Sequence, residues 1–71
     1  MNKFALGNNI HKRLREQHKT QRQMAKELGI SEHMMSDYVN GESAPHVYKL
    51  LKIARYLGCT MEELMEGVDD D

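Results

Sequence analysis

Tryptophan is absent from this 71-residue chain, and cysteine, proline and phenylalanine occur once each. A single cysteine excludes an internal disulfide, so no covalent staple is available to the fold. Cys59, set between Gly58 and the next helical stretch, reads as a packed structural thiol rather than a reactive one. With one proline and no glycine or serine tract, nothing marks a linker between domains. No apolar run approaches the roughly 18 residues that signal a membrane-spanning helix, and no secretory leader is legible. The expectation is a cytoplasmic protein that is not associated with a membrane. The five glycines are singletons near expected helix ends, which excludes a glycine-rich phosphate loop.

Other absences narrow the chemistry. A chain this short buries a modest share of its surface and makes one small domain. It has little room for a cleft with supporting layers. Ser31, Ser36 and Ser43 have no evident oriented base, so no enzyme is expected. Of the four histidines, His11 and His18 are seven apart, and His33 and His46 fall in different elements. None has the short spacing of a zinc site, and neither metal nor cofactor is expected.

Charge is unevenly spread beneath a net −1. From Met1 to Lys26 there are seven basic residues (Lys3, Lys12, Arg13, Arg15, Lys19, Arg22 and Lys26) against Glu16 alone. From Gly58 to Asp71 there are Glu62, Glu63, Glu66, Asp69, Asp70 and Asp71 and no base. A basic front can meet phosphates, and an acidic end repels or mimics them. The pI near 6.4 counts against a dedicated nucleic-acid binder, but only the docking face has to meet phosphate.

What is present is a run of helical signals. Leu6, Ile10 and Leu14, four apart, form the apolar ridge of a first helix from Leu6 or Gly7, with Asn8 or Asn9 as candidate caps. Residues 1–5 read as an arm, on which Phe4 either tucks onto the domain or stays loose. Thr20 and Gln23 have capping-box spacing. Met24 and Leu28 share a face, Ala25 permits close approach, and Gly29 can stop the helix. Ile30 plugs the turn, Ser31 caps the next helix, and Met35 with Tyr38 gives its buried stripe. Two short helices joined by a tight turn with glycine form a helix-turn-helix unit. The second leaves Glu32, His33, Ser36, Asp37 and Asn40 on a polar face. A solvated surface explains that face; so does insertion into the DNA major groove. Pro45 suits the first turn of a helix. Its stripe is Val47, Leu50, Leu51, Ala54 and Leu57, with Ile53 at the edge. Thr60 and Glu63 repeat the capping box and open a last helix with Met61, Leu64 and Met65, ended by Gly67. The domain spans 6–67, and 68–71 is an acidic tail. The sum is an all-α, five-helix globule with low contact order.

The chain resembles the Cro and phage-repressor family, the lambda-repressor-like helix-turn-helix domains. The resemblance runs from Ile10 to about Leu64. It rests on Ile10-His11-Lys12-Arg13-Leu14-Arg15, Thr20-Gln21, Ala25, Leu28-Gly29-Ile30-Ser31, Asn40-Gly41 with Pro45, the stretch Leu51 to Gly58, and Glu63-Leu64. It implies a small transcription regulator, of phage or prophage type, that binds operator DNA as a homodimer and so associates with the nucleoid of a bacterial host cell. By the resemblance, Ser31, Glu32, His33, Ser36 and Asp37 read bases. Backbone contacts come from Thr20, Gln21, Arg22, Asn40, Gly41, Ser43, Lys12, Arg13, Tyr48 and Lys49. A glutamine at the place of Gln21 contacts phosphate in this family and braces the reading helix. The reading helix departs from common readouts, having no Arg, Lys or Gln. That motivates a second reading, a protein-binding module (an antirepressor or antitoxin-like protein) whose acidic helix docks on a partner repressor or toxin. The dimer surface is expected on the last helix, with Met61, Leu64 and Met65, which serve equally as core.

Overall fold

The structure is a computed structural model and describes residues 4–68. Five helices follow one another: α1 (Ala5–Glu16), α2 (Gln21–Leu28), α3 (Glu32–Val39), α4 (Val47–Leu57) and α5 (Met61–Leu64). No strand occurs among the described residues. The all-α, five-helix class read from the sequence holds.

The core is built from one stripe per helix. Leu6, Ile10 and Leu14 of α1 meet Met24 and Ala25 of α2, Met35 and Tyr38 of α3, Leu50, Ile53, Ala54 and Leu57 of α4, and Leu64 of α5. Ile30, from the turn, is buried with them. Helix α1 touches α3, α4 and α5, whereas α2 packs on α3 and α4. At one point α1 has no room for any side chain. A Cβ on Gly7 would stand 1.9 Å from the Val39 carbonyl oxygen at the end of α3. Only glycine permits that approach.

The helix ends follow local chemistry. Thr20 caps α2 in a full capping box with Gln23, and Thr60 does the same for α5 with Glu63. Gly29, at φ 68°, closes α2 in the left-handed region, and the Ile30 amide reaches back to the Ala25 carbonyl. His18 takes the equivalent place after α1 at φ 55°, the one non-glycine residue with positive φ among those described.

Several boundaries and faces differ from the sequence reading. Helix α1 starts at Ala5, which is buried, with Phe4 preceding it. Asn8 and Asn9 therefore lie inside the helix and cap nothing. The Asn9 amide instead donates to the carbonyls of Leu64 (2.7 Å) and Glu66 (2.9 Å), holding α5 against α1. Gln17 likewise donates to the Leu57 carbonyl at the end of α4. Pro45 lies before the His46 cap rather than in the first turn of α4. In that helix Ile53 is wholly buried, while Val47 is 57 % exposed. Val47 is the first residue of the helix. Helix α5 ends at Leu64, with Met65 as its cap, so Gly67 turns the chain only after the helix has stopped. Leu64 is fully buried, and Met61 and Met65 pack half-buried against the core. Val68 also packs on the core; Asp69–Asp71 lie outside the described residues, as do Met1–Lys3.

Candidate nucleic-acid interface

Helices α2 and α3 bring their first turns together. Ser31 caps α3, its hydroxyl oxygen accepting from the Met34 amide at 3.1 Å. That leaves the hydroxyl proton free to donate. On the adjoining end of α2, the capping box satisfies the Gln23 and Thr20 amides. Among the described residues the Gln21 and Arg22 amides have no partner. Two free N–H groups at the positive end of a helix dipole suit a phosphate.

The two charged residues flanking that junction are paired. Arg22 Nε lies 3.0 Å from Glu32 Oε1, with both side chains largely exposed. This links a residue expected at the DNA backbone to one expected at the bases. Gln21 makes no side-chain hydrogen bond among the described residues, and it is Arg22 that reaches α3. One turn further, His33 Nε2 stands 3.5 Å from Asp37 Oδ2. Once protonated, His33 offsets the Asp37 carboxylate. Both carboxylates on the reading face therefore have a cationic or cation-forming neighbour. At the far end, Asn40 donates from its amide to the Ser36 hydroxyl at 3.2 Å.

The loop after α3 wraps its last turn. The amides of Glu42 and Ser43 both donate to the Asp37 carbonyl, and Gly41 turns the chain at φ 75°. Ser43 is exposed on this loop. Beyond it, Tyr48 is 76 % exposed on the first turn of α4. The Lys49 ammonium sits 5.9 Å from the Tyr38 ring centroid, which brings it to the flank of α3. Not every expected contact residue converges here. Arg13 turns toward α5, where its guanidinium is 3.8 Å from Glu63. Lys12 is exposed on the same half of α1.

The remaining polar contacts lie elsewhere. Tyr56 donates to Glu27 at 2.7 Å, and that bond holds the phenol above its ordinary pKa. Lys19 covers the other side of that ring at 4.4 Å from its centroid. Burial pushes the Cys59 thiol up, against the pull of nearby Arg13, so it stays protonated at neutral pH. No set of three His, Cys, Asp or Glu side chains converges to hold a metal among the described residues. None of the described helices is long and apolar enough to cross a membrane.

The family model described as helix-turn-helix matches the chain over residues 10–64, most of its length, a span that includes α2, the Gly29 turn and α3. This chain belongs to the helix-turn-helix family of Cro and phage-repressor type. The family is one of DNA-binding regulators, typically without enzymatic activity. No curated protein and no solved structure matches the chain at a significant level. In a helix-turn-helix domain the second helix of the unit enters the major groove while the first crosses the backbone. The second and first helices of the unit in this chain are α3 and α2.

Sequence reasoning named Arg22 and Glu32 separately and missed that they meet. The sequence offers opposite charges on the first turns of two helices joined by a three-residue turn, but whether they meet depends on the angle between those helices.

Proposed function

We propose that this protein is a small sequence-specific transcription regulator, Cro-like and of phage or prophage type, acting on DNA in the bacterial cytoplasm. It reads the major groove with α3 as a homodimer, whose half-sites are spaced by one DNA turn, about 34–36 Å. Phosphates hold the frame through the free amides of α2, Arg22, and the Asn40–Ser43 loop. Ser31, Glu32, His33, Ser36 and Asp37 face the bases. The observation that carries this reading is the junction of α2 and α3. It sets unpartnered amides beside an open polar face on which the Glu32 carboxylate is paired with Arg22 and the Asp37 carboxylate lies 3.5 Å from His33.

The test is a salt titration of binding to random duplex DNA and to DNA from the gene's own neighbourhood, with His33→Ala and Asp37→Ala alongside. The expected outcome is much tighter binding to the own-region DNA, with a log–log salt slope of several units. His33→Ala narrows the preference. Weak and equal binding to both DNAs, indifferent to either substitution, refutes it. That result favours the second reading, docking of α3 onto a partner repressor or toxin. The exposure of Met34 among the acidic side chains of α3 supports that alternative, and co-purification of the partner tests it.

A further inference from the structure

The Arg22–Glu32 contact leaves most of both groups unused. A guanidinium carries five N–H donors. Arg22 spends its Nε–H on Glu32 Oε1, and among the described residues its two Nη groups have no further partner. Among the described residues the second carboxylate oxygen, Oε2, has no partner. Both side chains are exposed, at 85 % and 64 %, so water keeps the pair weak in the free protein. Docking on a duplex expels that water and strengthens the contact.

We propose that Arg22 and Glu32 act on DNA as one bridging unit. The Arg22 Nη groups take a backbone phosphate, Nε–H holds Oε1 of Glu32, and Oε2 accepts from the N4 amino group of a cytosine. This inference rests on the DNA-reading function above and assigns one base within it. The chemistry selects cytosine for a definite reason. In the major groove guanine offers only acceptors, thymine offers an acceptor beside its methyl group, and adenine flanks its amino group with the N7 acceptor. A carboxylate is repelled by each of those acceptors. Cytosine alone presents a donor with no acceptor of its own beside it. The unit also answers the difficulty of placing an acid between two lines of phosphates, because Arg22 supplies the counter-charge and itself binds one of them. Arg22 is thus a positioning residue for base readout and Glu32 a specificity-determining one.

The experiment is selection from a random duplex library with the full chain, Glu32→Gln and Arg22→Lys, together with the salt slope of each on random duplex. Both side chains are exposed, so neither substitution touches the core. The unaltered protein is expected to enrich cytosine at one position of each half-site. Glu32→Gln replaces that cytosine by adenine, since an amide both donates to N7 and accepts from N6, and leaves the other positions unchanged. Arg22→Lys keeps the charge, so the salt slope stays within about one unit. A lysine has no planar fork to hold phosphate and carboxylate together, so the cytosine preference falls by about tenfold. An unchanged preference in either variant overturns the bridge while the DNA-reading function stands. Failure of the unaltered protein to enrich any sequence overturns both.

Discussion

Replacing Gly7 by alanine sets two effects of opposite sign against each other. Alanine favours an interior helical position over glycine by about 1 kcal/mol. Against this, the new methyl would sit 1.9 Å from the Val39 carbonyl oxygen and 2.8 Å from its carbon. Real Cβ atoms essentially never come within 3.0 Å of another heavy atom, so α1 and α3 must part by more than an ångström. Both sides of the contact are helix backbone, which has no rotamer to change. Overpacking of this kind costs about 1–3 kcal/mol, and the backbone setting argues for the upper end. The net loss is then about 2 kcal/mol, from a total of roughly 4–10 kcal/mol for a domain of this length. In thermal melts followed by far-UV circular dichroism, Tm falls by roughly 8–16 °C. Asn8→Ala, one position along on the exposed face, isolates the propensity gain and raises Tm slightly. A Gly7→Ala variant as stable as the parent, or tracking Asn8→Ala upward, would refute the close approach.

Asn9→Ala removes two hydrogen bonds, to the Leu64 carbonyl at the end of α5 and to the Glu66 carbonyl just after it. It is expected to cost about 1–2 kcal/mol, and hydrogen exchange at α5 accelerates more than at α3. In the α5 capping box, hydrogen bonds from Thr60 hold the Glu63 carboxyl below its ordinary pKa, with a smaller contribution from Arg13. A depressed folded-state pKa stabilises above the unfolded value and loses that contribution as pH falls through the folded one. Acid titration of stability below about pH 4.3 is therefore steeper in the parent than in Glu63→Gln. Parallel curves would show that the cap does not distinguish the two protonation states.

The helix-turn-helix was legible because its signals are local. Thr20 with Gln23, Gly29, and Thr60 with Glu63 each act within a few residues, and all three formed as their spacing implies. The α1 ridge was legible for the same reason. What the sequence did not show depends on which surfaces meet. Gly7 looked like a helix start, but its place is dictated by Val39 across the fold. Asn9 looked like a cap because asparagine suits caps, whereas its partners are 55 and 57 residues away. The buried face of α4 is turned toward Ile53. Val47 has the right spacing for burial but is exposed, Leu51 is only partly buried, and Ile53, assigned to the edge, is wholly buried. On α3, Glu32, His33 and Asn40 are exposed, as their residue types implied. The cross-helix pairing of Arg22 with Glu32 needed the angle between α2 and α3, which spacing alone does not give.

The Asn9 tie has a consequence for synthesis. Helix α1 leaves the ribosome first, yet three of its neighbours come later, and the last is a single turn secured by Asn9 more than fifty residues downstream. Helices α2 and α3 can form and pack on each other as they emerge, but α1 keeps an open apolar flank until Leu64 is out of the exit tunnel. The nascent domain therefore passes through an interval in which its reading unit is assembled while its first helix is not yet enclosed. Chaperones and proteases would meet it in that interval.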